Sequence, residues 1–318
     1  MPNRKQYGEI STLLTTITNA YRNKDTIAAE IAPEVITATP NFKYNVWDKA
    51  NALTVPETTV GKTGQFKGVQ FTGSTKDGSV QDHGLFTNVS NQDIEDFEAI
   101  NDNQFLGRNT QSLMDVILLR REVDLAKLLQ KEDNYASKKI YANTTSWVNA
   151  ASDPIADIED AIDAALVRFN RMWISSDSFI ALKRHPKVIS RFYSGNPANP
   201  RITTDMLAEE LTLEKIVIGR PQFNTAEIGK EPNIERAYKA SAGLFVYKEQ
   251  THLNSFMNFI TDVYCPVEGQ RQATFEKILE PGDFGVKGGV RVSIGEQSTF
   301  VLQGKDLGYL FKNTTAKA

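Results

Sequence analysis

Residues able to do chemistry are few and scattered along this chain. Gly61-Lys62-Thr63 matches the end of a phosphate-binding loop, in which glycine amides cradle phosphates and the lysine reaches them. The first glycine of that pattern would fall at position 56, which is Pro56, and neither an apolar strand before it nor a helix after it frames the triplet. GxSxG, HExxH and paired-cysteine patterns are absent. His83, His185 and His252 lie far apart and have no ligand partner at helical spacing, so they read as turn or surface residues. Asp153, Asp157, Glu159, Asp160 and Asp163 form an acidic cluster, but they flank an apolar stripe at a helix start, where carboxylates favour the dipole. A solvated helix face explains them better than a two-carboxylate active site. Cys265 reads as a small core or strand-end residue. No catalytic, cofactor-binding or metal-ligating residue is assigned, and neither enzymatic activity nor a cofactor is expected.

Composition narrows the classes further. A chain of 318 residues exceeds the size at which one core usually stops growing, which predicts two domains, or one with long extensions. A formal charge of -3 argues against tight binding of nucleic acid through phosphate neutralisation; any such contact should be local and weak. A single cysteine excludes an internal disulfide framework and fits a reducing compartment. The N-terminus lacks the apolar core of a signal peptide and no run is long enough for a membrane helix, so a cytosolic product without membrane contact is expected.

The elements that would organise these residues centre on Asn109 to Asp133. Asn109 or Thr110 can cap a helix there, and Met114, Leu118, Leu125 and Leu129 keep one face apolar. Leu113, Ile117, Leu119 and Leu128 broaden that stripe, while Arg120, Arg121, Glu122, Asp124 and Lys127 read as solvated charge. Ile10, Leu13, Leu14, Ile17 and Tyr21 predict an amphipathic helix near the N-terminus, followed by an extended stretch through Phe42, Tyr44 and Trp47. From Thr54 to Val80 glycines recur among Thr, Lys and Gln, and Asp77-Gly78 is a hairpin-turn signal. That segment is either a disordered surface loop or an extended hairpin ordered by lying on another subunit, and the flanking strand patterns favour the hairpin. A helix is predicted from Asp153 with Pro154 in its first turn, with Tyr141 and Trp147 in a linker before it, and another short helix is predicted at His185-Pro186. Gly195 to Pro200 reads as a loop. Runs at Ile216 to Ile218, Leu244 to Tyr247, Phe256 to Tyr264 and Val286 to Leu302 predict an α+β fold with antiparallel strands.

The order of these pieces resembles the tailed-phage major capsid proteins of the Hong Kong 97 type. The residues that carry the resemblance are Ile31-Ala32-Pro33-Glu34-Val35, Phe42-Lys43-Tyr44, the Gly-rich segment, Asp82-His83-Gly84-Leu85, the helix with Arg121-Glu122, Asp153-Pro154-Ile155, His185-Pro186-Lys187-Val188 and Asp306-Leu307-Gly308-Tyr309-Leu310. The resemblance implies an N-arm at 1–47, an extended loop at 48–84 and a peripheral domain at 85–170 with a spine helix at 109–133. It further implies an axial domain at 171–280 and C-terminal strands at 281–318 returning to the peripheral domain. The implied role is a major capsid protein that assembles with itself as hexamers and pentamers into an icosahedral virion shell around packaged DNA, formed in the host bacterial cytoplasm. The chain lacks the long charged helical start of self-scaffolding members, so scaffolding is expected either from a separate protein or not at all, and a separate portal protein is a further expected partner. Subunit contacts are expected at Gly61, Lys62, Lys67, Phe71, Lys76 and Asp77 in the loop, where Glu57 adds to the mixed charge. The lysine and asparagine crosslink of some members is not carried over, since no motif marks Lys62, Lys67 or Lys76 as reactive. Rival readings are a nanocompartment shell of the encapsulin type around protein cargo and, more distantly, a soluble α+β enzyme.

Overall fold

Local sequence fixes several element ends. The Asp153 side chain accepts the Ala156 amide at 3.3 Å, and Pro154 occupies the first turn, where its missing N–H costs nothing. His185 caps the helix that Pro186 opens by accepting the Lys187 amide at 3.3 Å.

The computed structural model describes residues 9–10, 14, 26–49, 53–62, 64–68, 74–99, 105–193, 200–227, 229–250, 252–254 and 257–316. Its strands are β1 (Glu9–Ile10), β2 (Glu34–Ile36), β3 (Asn41–Val46), β4 (Ser74–Ser79), β5 (Gln81–Ser90), β6 (Ser137–Ile140), β7 (Arg171–Ser175) and β8 (Lys215–Gly219). They continue as β9 (Gln222–Asn224), β10 (Ile234–Arg236), β11 (Ser241–Phe245), β12 (Ile260–Cys265), β13 (Gln272–Leu279), β14 (Gly289–Leu302) and β15 (Gly308–Lys312). The α-helices are α1 (Ala28–Ile31), α2 (Asn91–Ala99), α3 (Phe105–Leu129), α4 (Pro154–Asp163), α5 (Ser176–Arg184), α6 (Pro186–Phe192) and α7 (Thr204–Glu210).

Two larger sheets organise the chain. One has six strands, with β1, β13, β14, β12 and β2 side by side and β5 paired to β14. The other has five, in the order β6-β15-β11-β7-β8. The strands are not antiparallel throughout: β2 pairs β12, β6 pairs β15 and β7 pairs β8 in parallel. The β7–β8 pair follows from α5, α6 and α7 lying between the two strands, which supplies the long crossover that parallel neighbours need. Strands β12 and β13 belong to the six-stranded sheet, and the final strand β15 belongs to the five-stranded one.

Helix α3 joins the two sheets. Its Met114 and Ile117 pack with Ile294 of β14, whereas Leu125, Ala126 and Leu129 enter the large core around Trp173, Phe245 and Phe311. The helix starts at Phe105, ahead of the Asn109 expected from capping residues. Asn109 and Thr110 instead bond back to the Phe105 and Leu106 carbonyls at 3.0 and 2.9 Å, the other use of short polar side chains in a helix. Arg121 and Glu122 lie on the buried face with Met114, Ile117 and Leu125, contrary to their reading as solvated charge. Tyr141 and Trp147, expected in a linker, are buried, and Trp147 packs against Phe311.

Gly308 shows how tightly the core closes. A Cβ there would stand 2.6 Å from the Phe259 ring, so only glycine lets β15 pass this aromatic. Of the N-terminal stripe, Ile10 lies in β1 and Leu14 is buried, while Leu13, Ile17 and Tyr21 fall outside the described residues. Gly195 to Asn199 of the expected loop also fall outside them.

Candidate assembly surface

Strands β3 and β4 pair only with each other among the described residues, forming an antiparallel ribbon of their own. The end of the ribbon from which the excursion leaves is tied down: the Trp47 amide donates to the Gln303 carbonyl at 2.8 Å, and the Asn45 amide donates to Asn254 Oδ1 at 2.9 Å. Asp77-Gly78 is not the turn of this hairpin. Both residues sit inside β4 opposite Lys43 and Phe42, and a Cβ on Gly78 would meet the Phe42 ring at 2.6 Å. The glycine therefore makes room for an aromatic ring across the ribbon, and the excursion between the two strands runs through residues 53–68.

That excursion carries apolar side chains in solvent. Leu53 is 51% exposed, Val55 90% and Phe66 95%, values that leave the last two with almost no cover from their own chain. Reading the segment as Gly-, Thr- and Lys-rich missed them; the signal was single large apolar residues in a stretch with no core-forming period. Gly61, Lys62, Lys67, Lys76 and Asp77 are all exposed, the first three on the excursion and the last two on β4. Phe71 lies outside the described residues. Lys67 pairs with Glu57, and Asp77 with Lys43 at 3.8 Å, both at solvated positions where an ion pair contributes about 0–1 kcal/mol and is easily exchanged for another partner.

Behind this surface lies a buried network of charge. Glu122 accepts the Ile27 and Ala28 amides at 3.0 and 3.1 Å and the Tyr238 hydroxyl at 2.7 Å. Burial raises its pKa, opposed by those hydrogen bonds. Arg121 donates to Glu34 Oε1 at 2.9 Å and to Asp262, while Arg271 donates to the same Asp262 oxygen at 2.8 Å. Glu34 and Asp262 face each other in the parallel β2–β12 register, so two strands bring the carboxylates together and α3 supplies the cation. Beside them Arg120 donates to Glu296 at 2.8 Å, and Gln272 donates to the other oxygen of Glu296 at 2.8 Å. Each buried acid is thus matched by an arginine, an amide or a hydroxyl, which is the arrangement of a structural lock.

The sequence candidates for chemistry disperse. His185 is buried, and its Nε2 lies 2.9 Å from the Asn149 carbonyl, so it is a helix cap where a turn or surface position was expected. His83 sits on β5, where burial and then Arg120 lower its pKa, and His252 is exposed. Asp153 caps α4, Asp157 holds Lys139 and Tyr141, and Glu159 pairs with Arg191. Among the described residues no group of His, Cys, Asp and Glu is placed to hold a metal ion, and no helix is long and apolar enough to cross a membrane.

Sequence comparison decides what this surface belongs to. No family model matches the chain. Over 305 residues, covering 95% of the chain and 96% of the relative, it is 33% identical to the major capsid protein of Pseudomonas phage JBD67. The chain belongs to the phage major capsid protein family. A shorter match, 34% identical over 116 residues, covers 34% of this capsid protein and 37% of the major capsid protein of Burkholderia phage BcepMu. Among solved structures, a phage-related protein from Bordetella bronchiseptica RB50 superposes with a TM-score of 0.75 at 20% identity, covering 98% of this chain and 99% of that one. A putative prophage capsid protein from E. coli CFT073 superposes at 0.58 and 11% identity, covering 96% and 99% of the two chains. The capsid protein of cyanophage P-SCSP1u superposes at 0.56 and 11% identity, covering 94% and 90%. The capsid protein described here has the Hong Kong 97-like α+β fold and is a phage capsid shell protein, located in the virion capsid.

Proposed function

We propose that this capsid protein closes an icosahedral shell from hexamers and pentamers around packaged DNA, with its 53–68 excursion lying on a neighbouring subunit. The observation that carries this reading is the exposure of Val55 and Phe66 on an excursion that leaves the ribbon at its anchored end and whose described residues are almost all solvent-exposed. A neighbouring subunit would cover the Val55 and Phe66 side chains that the parent chain leaves in solvent. Gly61, Lys62, Lys67, Phe71, Lys76 and Asp77 are proposed to contribute to that contact, the lysines and Asp77 by exchanging weak intrachain pairs for intersubunit ones.

The domain reading follows the sheets. The six-stranded sheet with the first half of α3 is assigned to the peripheral domain and the five-stranded sheet with α4 to α7 to the axial domain, which moves β1, β2, β12 and β13 to the former and β6, α4 and β15 to the latter relative to the boundaries expected from sequence. Assembly in the host bacterial cytoplasm, separate scaffolding and portal proteins, and weak contact with DNA complete the proposal. We assign a structural rather than an enzymatic role. An encapsulin-type shell would share the fold, but the relative that matches nearly the whole chain is a phage capsid protein.

Replacing Val55 and Phe66 together by serine tests the loop assignment by sedimentation velocity and negative-stain microscopy. Folded subunits that no longer close into shells are expected; normal shells from that variant would remove the loop from the contact.

A further inference from the structure

A cavity of about 550 Å³ opens between α5, the start of α6 and the chain after β15, outside the ribbon and the 53–68 excursion. Trp147, Ile180 and Ala181 give it an apolar lining, and Arg184 and Arg236 contribute guanidinium groups that make no ion pair among the described residues. Asp177 completes it. Its Oδ2 accepts the Ala240 amide at 2.9 Å and the Thr315 hydroxyl at 3.3 Å, while its Oδ1 is buried without a hydrogen-bond partner among the described residues. That oxygen is sealed from solvent, so its missing partner is a cost carried by the fold and the arginines are the groups the cavity presents. Volume, apolar lining and a few convergent polar groups are the features of a binding groove.

We propose that this groove binds a short acidic peptide segment of a separate protein. An apolar side chain would rest on Val148, Ile180 and Ala181, and an adjacent carboxylate would meet Arg184 and Arg236. The unpaired arginines select for negative charge by complementarity. The chain's own exposed excursion is a poor match, because residues 53–68 carry one carboxylate, Glu57, against Lys62 and Lys67. Nothing in this inference depends on how the excursion packs, so the two readings fail separately.

The test is fluorescence polarisation on the assembled full-length protein, with a fluorescein-labelled peptide carrying one leucine between glutamates. Saturable binding is expected, weakened at least about tenfold by glutamine in place of the glutamates and by the R184E/R236E double variant, as expected for lost charge-assisted hydrogen bonds. Ala181→Trp, which fills the groove, should abolish binding; if that variant does not fold, the arginine variant and the glutamine peptide decide. Binding that survives both changes, or no saturation up to about 1 mM peptide, overturns the proposal. So does a sedimentation change in R184E/R236E without peptide binding, which would mean that a second copy fills the groove.

Discussion

The Tyr238 hydroxyl donates to Oε1 of Glu122 at 2.7 Å, tying the long helix α3 to the segment that precedes strand β11. The other oxygen of the same carboxylate accepts the Ile27 and Ala28 amides at the start of α1, so one side chain fastens three parts of the chain. Removing it should loosen all three. Glu122→Ala is expected to cost roughly 1–3 kcal/mol of subunit stability in denaturant unfolding, the penalty for buried donors left unpaired. A variant as stable as the parent would show that the clamp contributes nothing.

The same carboxylate gives a pH dependence with a definite sign. Burial raises its pKa above that of an unfolded glutamate. An acid that holds its proton more tightly when folded adds stability below the unfolded value and loses it as pH rises through the folded one. Relative to Glu122→Gln, which cannot titrate, the parent should gain stability as pH falls from about 7 to about 5. Unfolding midpoints of both proteins across that range check this, and a difference independent of pH would contradict it.

Much of this architecture was legible in sequence, and the misses share a cause. Apolar period located α3, although the capping residues put its start four residues late, and period with the Asp153-Pro154 start located α4, because both report local geometry directly. Arg121 and Glu122 were misread because charge predicts solvent unless partners are known, and theirs lie 141 and 116 positions away, at Asp262 and Tyr238. Gly78 was misread because its role, clearance for Phe42, exists only once β3 and β4 pair. The proposed assembly surface was picked out as a long Gly-rich segment, while Val55 and Phe66 stood out only when the fold left them uncovered.

Arg121 provides a test of the buried ionic network. Arg121→Met leaves Asp262, 1% exposed, with Arg271 as its remaining partner, and should destabilise the subunit by about 1.5–3 kcal/mol, the scale of a hydrogen bond lost from a charged group. Adding Asp262→Asn should recover part of that loss, since it removes a carboxylate that has lost one of its two arginines, while Arg271 keeps Glu34. Chemical denaturation of the two single variants and the double variant completes the cycle; additive effects would mean that the pair is not coupled.

Gly308 tests packing between β15 and Phe259. Gly308→Ala places a methyl 2.6 Å from that ring and should cost about 1–3 kcal/mol, read as a lowered melting temperature. Phe259→Leu in the same background should relieve part of the clash.

The account rests most heavily on closure of a shell by copies of this chain. Electron cryomicroscopy of particles made from the full-length protein tests that most directly. The expected result is an icosahedral shell of pentamers and hexamers in which the Phe66 side chain is buried against an adjacent subunit. Monomers or dimers that persist at every salt and protein concentration, or a closed shell with Phe66 still in solvent, would contradict it.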